Sequence, residues 1–118
     1  DTTFTIEVKA DSLISTTGNI AIEIMTNVAW NKKGWFYYTE ADYIYFVDVN
    51  NHLIHCVATD ELRTYYKENI SYIRHKNLTQ YEHGGSIIKE VKLALIPVKK
   101  LKTLKSYKTL SCFSGLLN

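Results

Sequence analysis

The sequence predicts an α/β or α+β fold in which helices flank one mixed central sheet. Three observations predict it. Apolar and polar residues alternate near the N-terminus, a strand-turn-strand pattern occupies the middle of the chain, and apolar residues at helical spacing follow that pattern. The 118 residues, 46% of them hydrophobic, suffice for one domain with a single core. We therefore expect one domain over residues 1–118, built from a layer of strands and a layer of helices.

The first predicted strand begins at Phe4 and alternates strictly to Val8. This period of two is typical of a strand that is buried on one face, here the face of Phe4, Ile6 and Val8. Glu7 and Lys9 share the other face, about 6.6 Å apart along the strand. Asp11 joins that polar face if the strand runs two residues further.

A second strand is predicted after the turn pair Gly18-Asn19, which tolerates a positive φ. One of its faces is entirely isoleucine, with Ile20, Ile22 and Ile24. Glu23 lies on the opposite face, as Glu7 does in the first strand. Residues 27–34 are predicted to form a loop with a positive tip at Lys32 and Lys33, and a short helix follows, ending near Asp42.

The middle of the chain predicts a hairpin and a helix. Strands over residues 43–49 and 52–58 flank Asn50-Asn51, a pair that adopts the left-handed conformations of tight turns. A helix over residues 59–74 would have Thr59 or Asp60 as its N-cap and Glu61 in its first turn.

The C-terminal third predicts one strand between two less regular segments. Residues 77–86 are polar, contain Gly84-Gly85 and predict a loop. Residues 87–98 predict a strand that ends or lies at an edge at Pro97, and the last twenty residues predict a short helix.

Several classes of protein are not indicated by the sequence. No signal peptide and no apolar run of the roughly 18 residues that span a membrane are seen, so we expect a cytoplasmic protein without membrane contact. Cys56 and Cys112 show no metal-ligand spacing, and we expect buried free thiols. His52 and His55 would face opposite sides of a strand, which argues against a histidine metal site.

Three blocks of the sequence stand out together. They are Glu7-Val8-Lys9-Ala10-Asp11, Thr17-Gly18-Asn19-Ile20-Ala21-Ile22-Glu23, and Gly34 with Thr39-Glu40-Ala41-Asp42-Tyr43-Ile44-Tyr45-Phe46-Val47. In this order they resemble the PD-(D/E)xK nuclease-like proteins, particularly small phage and prophage members. The resemblance implies a restriction-endonuclease-like fold and hydrolysis of DNA phosphodiester bonds. It also implies that an aspartate and Glu7 hold Mg²⁺ or Mn²⁺ while Lys9 orients the attacking water.

The aspartate of this pattern has no evident counterpart. Asp1 is the only acid before Glu7, and an extended strand would place it roughly 20 Å away. Three explanations stay open: the natural chain supplies an acid from an upstream element, Glu23 or Asp11 substitutes for it, or the site has lost activity. The candidate catalytic residues are Glu7, Lys9 and Glu23, and the candidate metal ligands are Glu7, Glu23, Asp11 and Asp1.

Basic residues provide candidate DNA contacts. Seven of the fourteen lysines and arginines fall between Lys89 and Lys108, where Glu90 is the single acid. Such a stripe can follow a phosphate backbone, although a solvated lysine face is an equal alternative. The candidate phosphate contacts are Lys32, Lys33, Lys99, Lys100 and Lys102, and the candidate base-stacking residues are Trp35 and Tyr37.

Blander interpretations and other functions stay open as well. Glu7 and Lys9 could be a solvated ion pair, and Asp11 could only start a turn. The chain could be a catalytically inactive relative that binds nucleic acid or protein through the same sheet. It could also be one piece of a split or domain-swapped assembly, with a homodimer or partner chain at an exposed sheet edge.

Overall fold

The chain forms two four-stranded β-sheets and four helices within the residues that a computed structural model describes, 3–81, 84–85 and 87–111. The strands are β1 (Ile6–Asp11), β2 (Asn19–Asn27), β3 (Lys32–Lys33), β4 (Tyr43–Asp48), β5 (Leu53–Ala58), β6 (Arg74–Tyr81), β7 (Ile87–Pro97) and β8 (Lys108–Ser111). The α-helices are α1 (Ile14–Thr17), α2 (Trp35–Tyr38), α3 (Thr59–Asn69) and α4 (Val98–Leu101), and a 3₁₀ turn over Ile70–Tyr72 extends α3.

The mixed α+β class is confirmed, but the expected single sheet is wrong. The first sheet has the order β1-β4-β5-β8, in which β1 is parallel to β4 and the other pairs are antiparallel. The second sheet has the order β3-β2-β7-β6 and is antiparallel throughout. Sheet membership depends on which strands pair at long range, and alternation within a strand does not reveal its partner.

The core joins both sheets to α2 and α3. The predicted isoleucine face of β2 is confirmed, since Ile20 and Ile22 are completely buried. They belong to one cluster with Phe46 of β4, Phe36 of α2 and Leu62 of α3. Burial of these side chains is the main contribution to the stability of the fold, at about 1.5–3 kcal/mol for each large apolar side chain.

β1 has the opposite orientation to the one that its apolar pattern suggests. Ile6 and Val8 are exposed, while Glu7, Lys9 and Asp11 are partly buried on the side that faces the rest of the molecule. The alternation is confirmed, but the apolar face of this strand is not the core face. Hydrophobic spacing identifies the two faces of a strand without saying which one the remaining chain covers.

The central hairpin is confirmed, with a different turn residue. β4 and β5 pair in antiparallel register, with Phe46 opposite His55. The left-handed residue is His52, with φ 55°, and not an asparagine. Asn51 instead donates from its backbone and side-chain nitrogens to the Asp48 carboxylate at 3.3 and 3.0 Å, which closes the turn.

The helix after the hairpin is confirmed, but its cap is not. Ala58 is the N-cap of α3, so Thr59 and Asp60 both lie inside the first turn. Asp60 and Glu61 are there to complement the helix dipole, as expected. The helix ends at Asn69, five residues before the predicted limit of residue 74, because the chain turns through the 3₁₀ segment into β6.

Three strands are absent from the sequence prediction. The two-residue strand β3 lies in the predicted loop at 27–34. β6 occupies much of the predicted loop at 77–86, and β8 lies in the predicted C-terminal helix, of which only α4 forms within the described residues. Seven of the eight β6 residues are exposed, so the strand has little apolar alternation and depends on hydrogen bonds to β7. Cys56 is a buried free thiol as predicted, while Asp1 and Cys112 lie outside the described residues. None of the described helices is sufficiently long and apolar to span a membrane.

Glu61 connects α3 by hydrogen bonds to the segment that precedes β8. Its carboxylate accepts hydrogen bonds from the backbone nitrogens of Lys105 and Ser106, both at 2.8 Å, and from the Ser106 hydroxyl at 2.5 Å. These bonds stabilise the charged carboxylate, and the Ser106 hydroxyl is the largest cause of a lowered Glu61 pKa. The segment before β8 is therefore held by a charge that acid removes.

We predict that Glu61→Gln weakens the dependence of stability on pH in the acid range. The pKa of Glu61 is lower in the folded than in the unfolded protein. Its carboxylate therefore stabilises the fold fully at pH values above the unfolded-state pKa. That stabilisation is lost as the pH falls through the folded value. Urea denaturation between pH 7 and pH 3 should show a smaller loss of unfolding free energy for Glu61→Gln than for wild type. Glu68→Gln, at an exposed position of the same helix, is the control and should follow wild type. Parallel curves for wild type and Glu61→Gln would contradict the prediction.

Candidate functional site

The candidate site is centred on Glu7 and Lys9 of β1. As predicted, their side chains lie on the same face of the strand, and Lys9 Nζ is 3.6 Å from Glu7 Oε2. The two side chains are 34% and 36% exposed, so a solvent-borne ligand can reach them. At this exposure the ion pair contributes little to stability.

The position of β1 is fixed where it begins to pair with β4. The Asp42 carboxylate accepts a hydrogen bond from the Thr5 backbone nitrogen at 2.9 Å. In return, the Thr5 carbonyl accepts from the backbone nitrogens of Asp42 and Tyr43 at 2.9 and 3.1 Å. Asp42 thus has an anchoring role, and its bonds set the register in which Glu7 lies beside Ile44.

The short helix α2 supplies the other groups of the site. Thr39, directly after α2, donates from its hydroxyl to Glu7 Oε1 at 3.1 Å. Trp35 places its ring 4.6 Å from Lys9 Nζ, a cation–π contact. The helix can begin here because Gly34 lies against β2: a Cβ at that position would be 2.3 Å from the Glu23 carbonyl oxygen. Trp35, predicted as a base-stacking residue, therefore contacts the catalytic candidate itself.

Arg63 of α3 holds the end of α2 in place. Its Nε and Nη2 atoms donate to the Phe36 carbonyl at 3.1 and 3.0 Å, and Nη2 also donates to the Thr39 carbonyl at 2.6 Å. The planar guanidinium can satisfy several carbonyls at a helix C-terminus together. Arg63 is therefore a positioning residue for Thr39 and, through Thr39, for Glu7.

Asp11 takes the turn-forming role that the sequence left open. Its Oδ1 atom accepts from the Leu13 backbone nitrogen at 2.8 Å and starts the turn into α1. In register it lies beside the buried Asp48, whose carboxylate binds Asn51 in the hairpin turn. Asp11 is two positions beyond Lys9 on the same face of β1. Its Oδ1 atom is already hydrogen bonded to the Leu13 backbone nitrogen.

Glu23 does not lie in the same sheet as Glu7 and Lys9. It belongs to the second sheet, opposite Leu93 of β7. Its Cγ atom lies against Gly34, the residue directly before α2. The expectation that Glu7, Lys9 and Glu23 share one sheet surface is therefore wrong, because the two acids lie in different sheets.

The described residues supply a limited set of metal ligands. Among them, no group of three or more His, Cys, Asp or Glu side chains is placed to hold an ion. Mg²⁺ is often bound by one or two carboxylates together with substrate phosphates and waters. Glu7 offers one carboxylate, whose oxygens contact the Thr39 hydroxyl and the Lys9 ammonium group.

The candidate phosphate-binding lysines form two separate groups. Lys32 and Lys33 form β3, which pairs with the C-terminal end of β2. Lys99 and Lys100 lie in α4 and Lys102 directly follows it, near Asn19 at the N-terminal end of β2. All five are exposed. Eight residue rises separate the ends of β2, about 26 Å, so the two groups do not form one patch. The β3 pair adjoins α2 and hence the candidate site.

An aromatic and basic recess adjoins the same helix. It measures about 280 Å³ and is lined by Phe36, Tyr37, Arg63, Tyr66, Lys67 and Ile70. Two of these residues are cationic and none is acidic. Lys33 Nζ is 5.2 Å from the centre of the Tyr37 ring. Tyr66 hydrogen bonds to His75 Nε2 at 2.9 Å, and burial raises the pKa of Tyr66 to about 12, so this phenol is neutral at physiological pH.

Thr39 and Arg63 were not identified from the sequence as site residues. Thr39 is part of the block that resembles nucleases, but a single threonine at a helix end carries no local signal. Arg63 appears in the sequence as an ordinary helix residue. Both act across more than twenty positions of sequence, which only the pairing of elements reveals.

No protein-family model, no curated protein and no solved structure matches this chain. The likeness to nucleases therefore depends on the residues themselves.

We predict that Arg63→Met destabilises the protein by about 2 kcal/mol, since it removes charge-assisted hydrogen bonds from two carbonyls. Lys67→Met is the matched control, because it removes the same charge from an exposed position of α3 and should cost much less. Urea denaturation at neutral pH measures both. Equal losses in the two variants would show that charge, and not the guanidinium contacts, matters.

Proposed function

We propose that this chain is a nuclease domain that hydrolyses DNA phosphodiester bonds with Mg²⁺ or Mn²⁺ at the Glu7 and Lys9 pair. The single observation that carries the proposal is the placement of these two side chains on one face of an edge strand, 3.6 Å apart and open to solvent. Glu7 would bind the ion jointly with the substrate phosphate. When bound, such an ion lowers the pKa of a coordinated water and offsets phosphate charge.

The residues of the chain have distinct roles in this proposal. Lys9 would orient the attacking water through its ammonium group, which the Trp35 ring supports by a cation–π contact. Thr39 would hold the Glu7 carboxylate by donating to the oxygen that Lys9 does not contact. Lys33 lies at the neighbouring end of α2 and would bind the DNA backbone beyond the scissile phosphate.

We predict that Lys9→Met lowers the rate of DNA cleavage by about a hundredfold or more, the usual contribution of a group that assists a proton transfer. Supercoiled plasmid with Mg²⁺ or Mn²⁺ is the substrate, and filter binding measures affinity separately. Lys76→Met, at an exposed lysine of β6, is the control and should cleave like wild type. Glu7→Gln should also lose cleavage while the fold, followed by circular dichroism, is kept.

Failure of wild type to cleave with either ion would reject the nuclease proposal. So would a Lys9→Met variant that cleaves at the wild-type rate.

A second candidate function is binding of single-stranded nucleic acid without cleavage. Lys33 over the Tyr37 ring, beside a recess with two further cations, favours it. Aromatic rings and cations together bind bases and phosphates without the need for a metal. Both Glu7 oxygens already have protein partners, which is compatible with a pair that has no catalytic role.

We predict that Tyr37→Ala weakens binding of an oligothymidine by about tenfold, within the range expected for loss of one stacked base. Tyr38→Ala is the control, because this neighbouring tyrosine of α2 is still more exposed but makes no cation–π contact within the described residues. Fluorescence anisotropy at fixed salt measures both affinities. If the two variants bind equally, the recess is not a binding site for bases.

A further inference from the structure

A hollow of about 450 Å³ spans one end of the second sheet, where α3 and α4 adjoin it. Of the nine residues that line it, five are aromatic or apolar, two are asparagines and two are the cations Arg74 and Lys100. The hollow shares no residue with the Glu7 and Lys9 pair or with the recess beside Tyr37. It is therefore a separate feature of the surface.

The register of the second sheet sets the width of this hollow. Asn19 of β2 lies opposite Pro97 of β7, and Arg74 of β6 lies opposite Leu95 of β7. Because neighbouring strands are about 4.8 Å apart, β2 and β6 are about 9.6 Å apart. A single aromatic ring fits across this distance. The volume also lies within the range of small-molecule sites, about 300–1,000 Å³.

Positive charge continues from this hollow along α4. A second hollow of about 570 Å³ adjoins the first at Asn19 and Pro97, which line both, and adds Lys99 and Lys102. Among the described residues no acid lines either hollow, although the chain has 12 acids against 14 lysines and arginines. Nor does any of the four cations form an ion pair within that part of the chain. Such an uncompensated group of cations attracts an anionic ligand.

The first hollow also offers unused hydrogen-bonding groups and an open aromatic ring. Asn69 Nδ2 donates to the Tyr65 carbonyl at 2.9 Å, while its Oδ1 atom has no hydrogen bond within residues 3–81, 84–85 and 87–111. The Asn19 side chain has none in the same ranges. Tyr72 is 88% exposed, although its ring is large and partly apolar. Amides recognise the edges of nucleic-acid bases, and aromatic rings stack on their faces.

We propose that this hollow binds a nucleotide. The base stacks on Tyr72, and the phosphate lies beside Arg74 and Lys100. Further phosphates, where the ligand has them, lie beside Lys99 and Lys102 in the adjoining hollow. The proposal does not depend on the proposed nuclease activity, because it uses a different surface and needs no metal ion.

Other classes of ligand match the lining less completely. An inorganic anion would leave the five aromatic and apolar residues without a partner, and an apolar molecule would leave the two cations without a counter-charge. An acidic peptide would satisfy the cations, but it supplies a flat ring only where an aromatic residue adjoins its acids. A nucleotide joins a flat ring with hydrogen-bonding edges to a phosphate, so it matches the aromatic, amide and cationic residues together. A free nucleotide and the end of a single strand share this chemistry.

Titration of the full chain with four probes tests the proposal. The probes are adenosine monophosphate, adenosine, inorganic phosphate and a short oligodeoxyadenylate. Chemical shifts of backbone amides report binding, in a buffer without divalent ions so that no cleavage occurs. Adenosine monophosphate should shift the signals of Ile73, Arg74 and Leu95 and should bind about tenfold or more tightly than adenosine or phosphate, since each of these keeps only part of the contacts.

The oligonucleotide distinguishes the two sources of the ligand. Tighter binding than that of adenosine monophosphate would support the proposal with a single strand as the source, because Lys99 and Lys102 then contact further phosphates. Equal affinity would support it with a free nucleotide as the source.

Substitutions with matched controls assign the contacts. Arg74→Gln should weaken binding of adenosine monophosphate by about tenfold, because a charge-assisted hydrogen bond to the phosphate is lost. Lys76→Gln, at an exposed lysine of the same strand outside the hollow, should bind like wild type. Tyr72→Ala should weaken binding of both adenosine and adenosine monophosphate, and Tyr81→Ala, at another exposed tyrosine, should not. Lys100→Gln replaces Arg74→Gln if the latter fails to fold by circular dichroism.

Three results would overturn the proposal. The first is binding of inorganic phosphate as tight as that of adenosine monophosphate, which would identify a site for simple anions. The second is equal binding by Arg74→Gln and Lys76→Gln. The third is displacement of adenosine monophosphate by an equal concentration of a glutamate-rich peptide with one tyrosine, which would identify an acidic protein segment as the occupant. None of these results depends on DNA cleavage, so they are distinct from a failure of the nuclease proposal.

Discussion

The register of β1 on β4 is the constraint on which the rest of the structure depends. Glu7 pairs with Ile44 and Val8 with Tyr45, so the polar side chains of β1 face the body of the molecule and the apolar ones face outward. Because side chains alternate with a period of two, a shift of one residue would exchange the two faces completely. The candidate site and the exposed apolar face of β1 are thus two consequences of one pairing, which the bonds between Thr5 and Asp42 hold in place.

The same register explains why β1 exposes its apolar side chains and partly buries its polar ones, an arrangement that lowers stability. Burying Phe4 and Val8 would contribute about 1.5–3 kcal/mol each, yet they remain largely exposed. The half-buried carboxylate and ammonium of the candidate site occupy the inner side, where Thr39 and Trp35 contact them. An arrangement that forgoes apolar burial to place charged groups is more readily explained by binding or catalysis than by stability.

Local pattern predicted much of the fold, within a clear limit. The isoleucine face of β2, the hairpin of β4 and β5 and the body of α3 all have strong alternation or helical spacing, and all are confirmed. β6 was missed because its exposed, polar residues have no face to alternate, and its order comes from pairing with β7. For the site, the sequence placed Glu7 beside Lys9 correctly. It could not show that Glu23 belongs to another sheet or that Arg63 reaches α2, since both facts depend on long-range pairing.

The register of β1 can be measured directly by nuclear magnetic resonance. Nuclear Overhauser effects between backbone protons of the two parallel strands should place Glu7 beside Ile44 and Val8 beside Tyr45. Side-chain protons of Lys9 should also contact the Trp35 ring, and those of Val8 should not. Cross-strand contacts that place Glu7 beside Tyr43 or Tyr45 would turn its carboxylate to the exposed face of β1 and contradict this account.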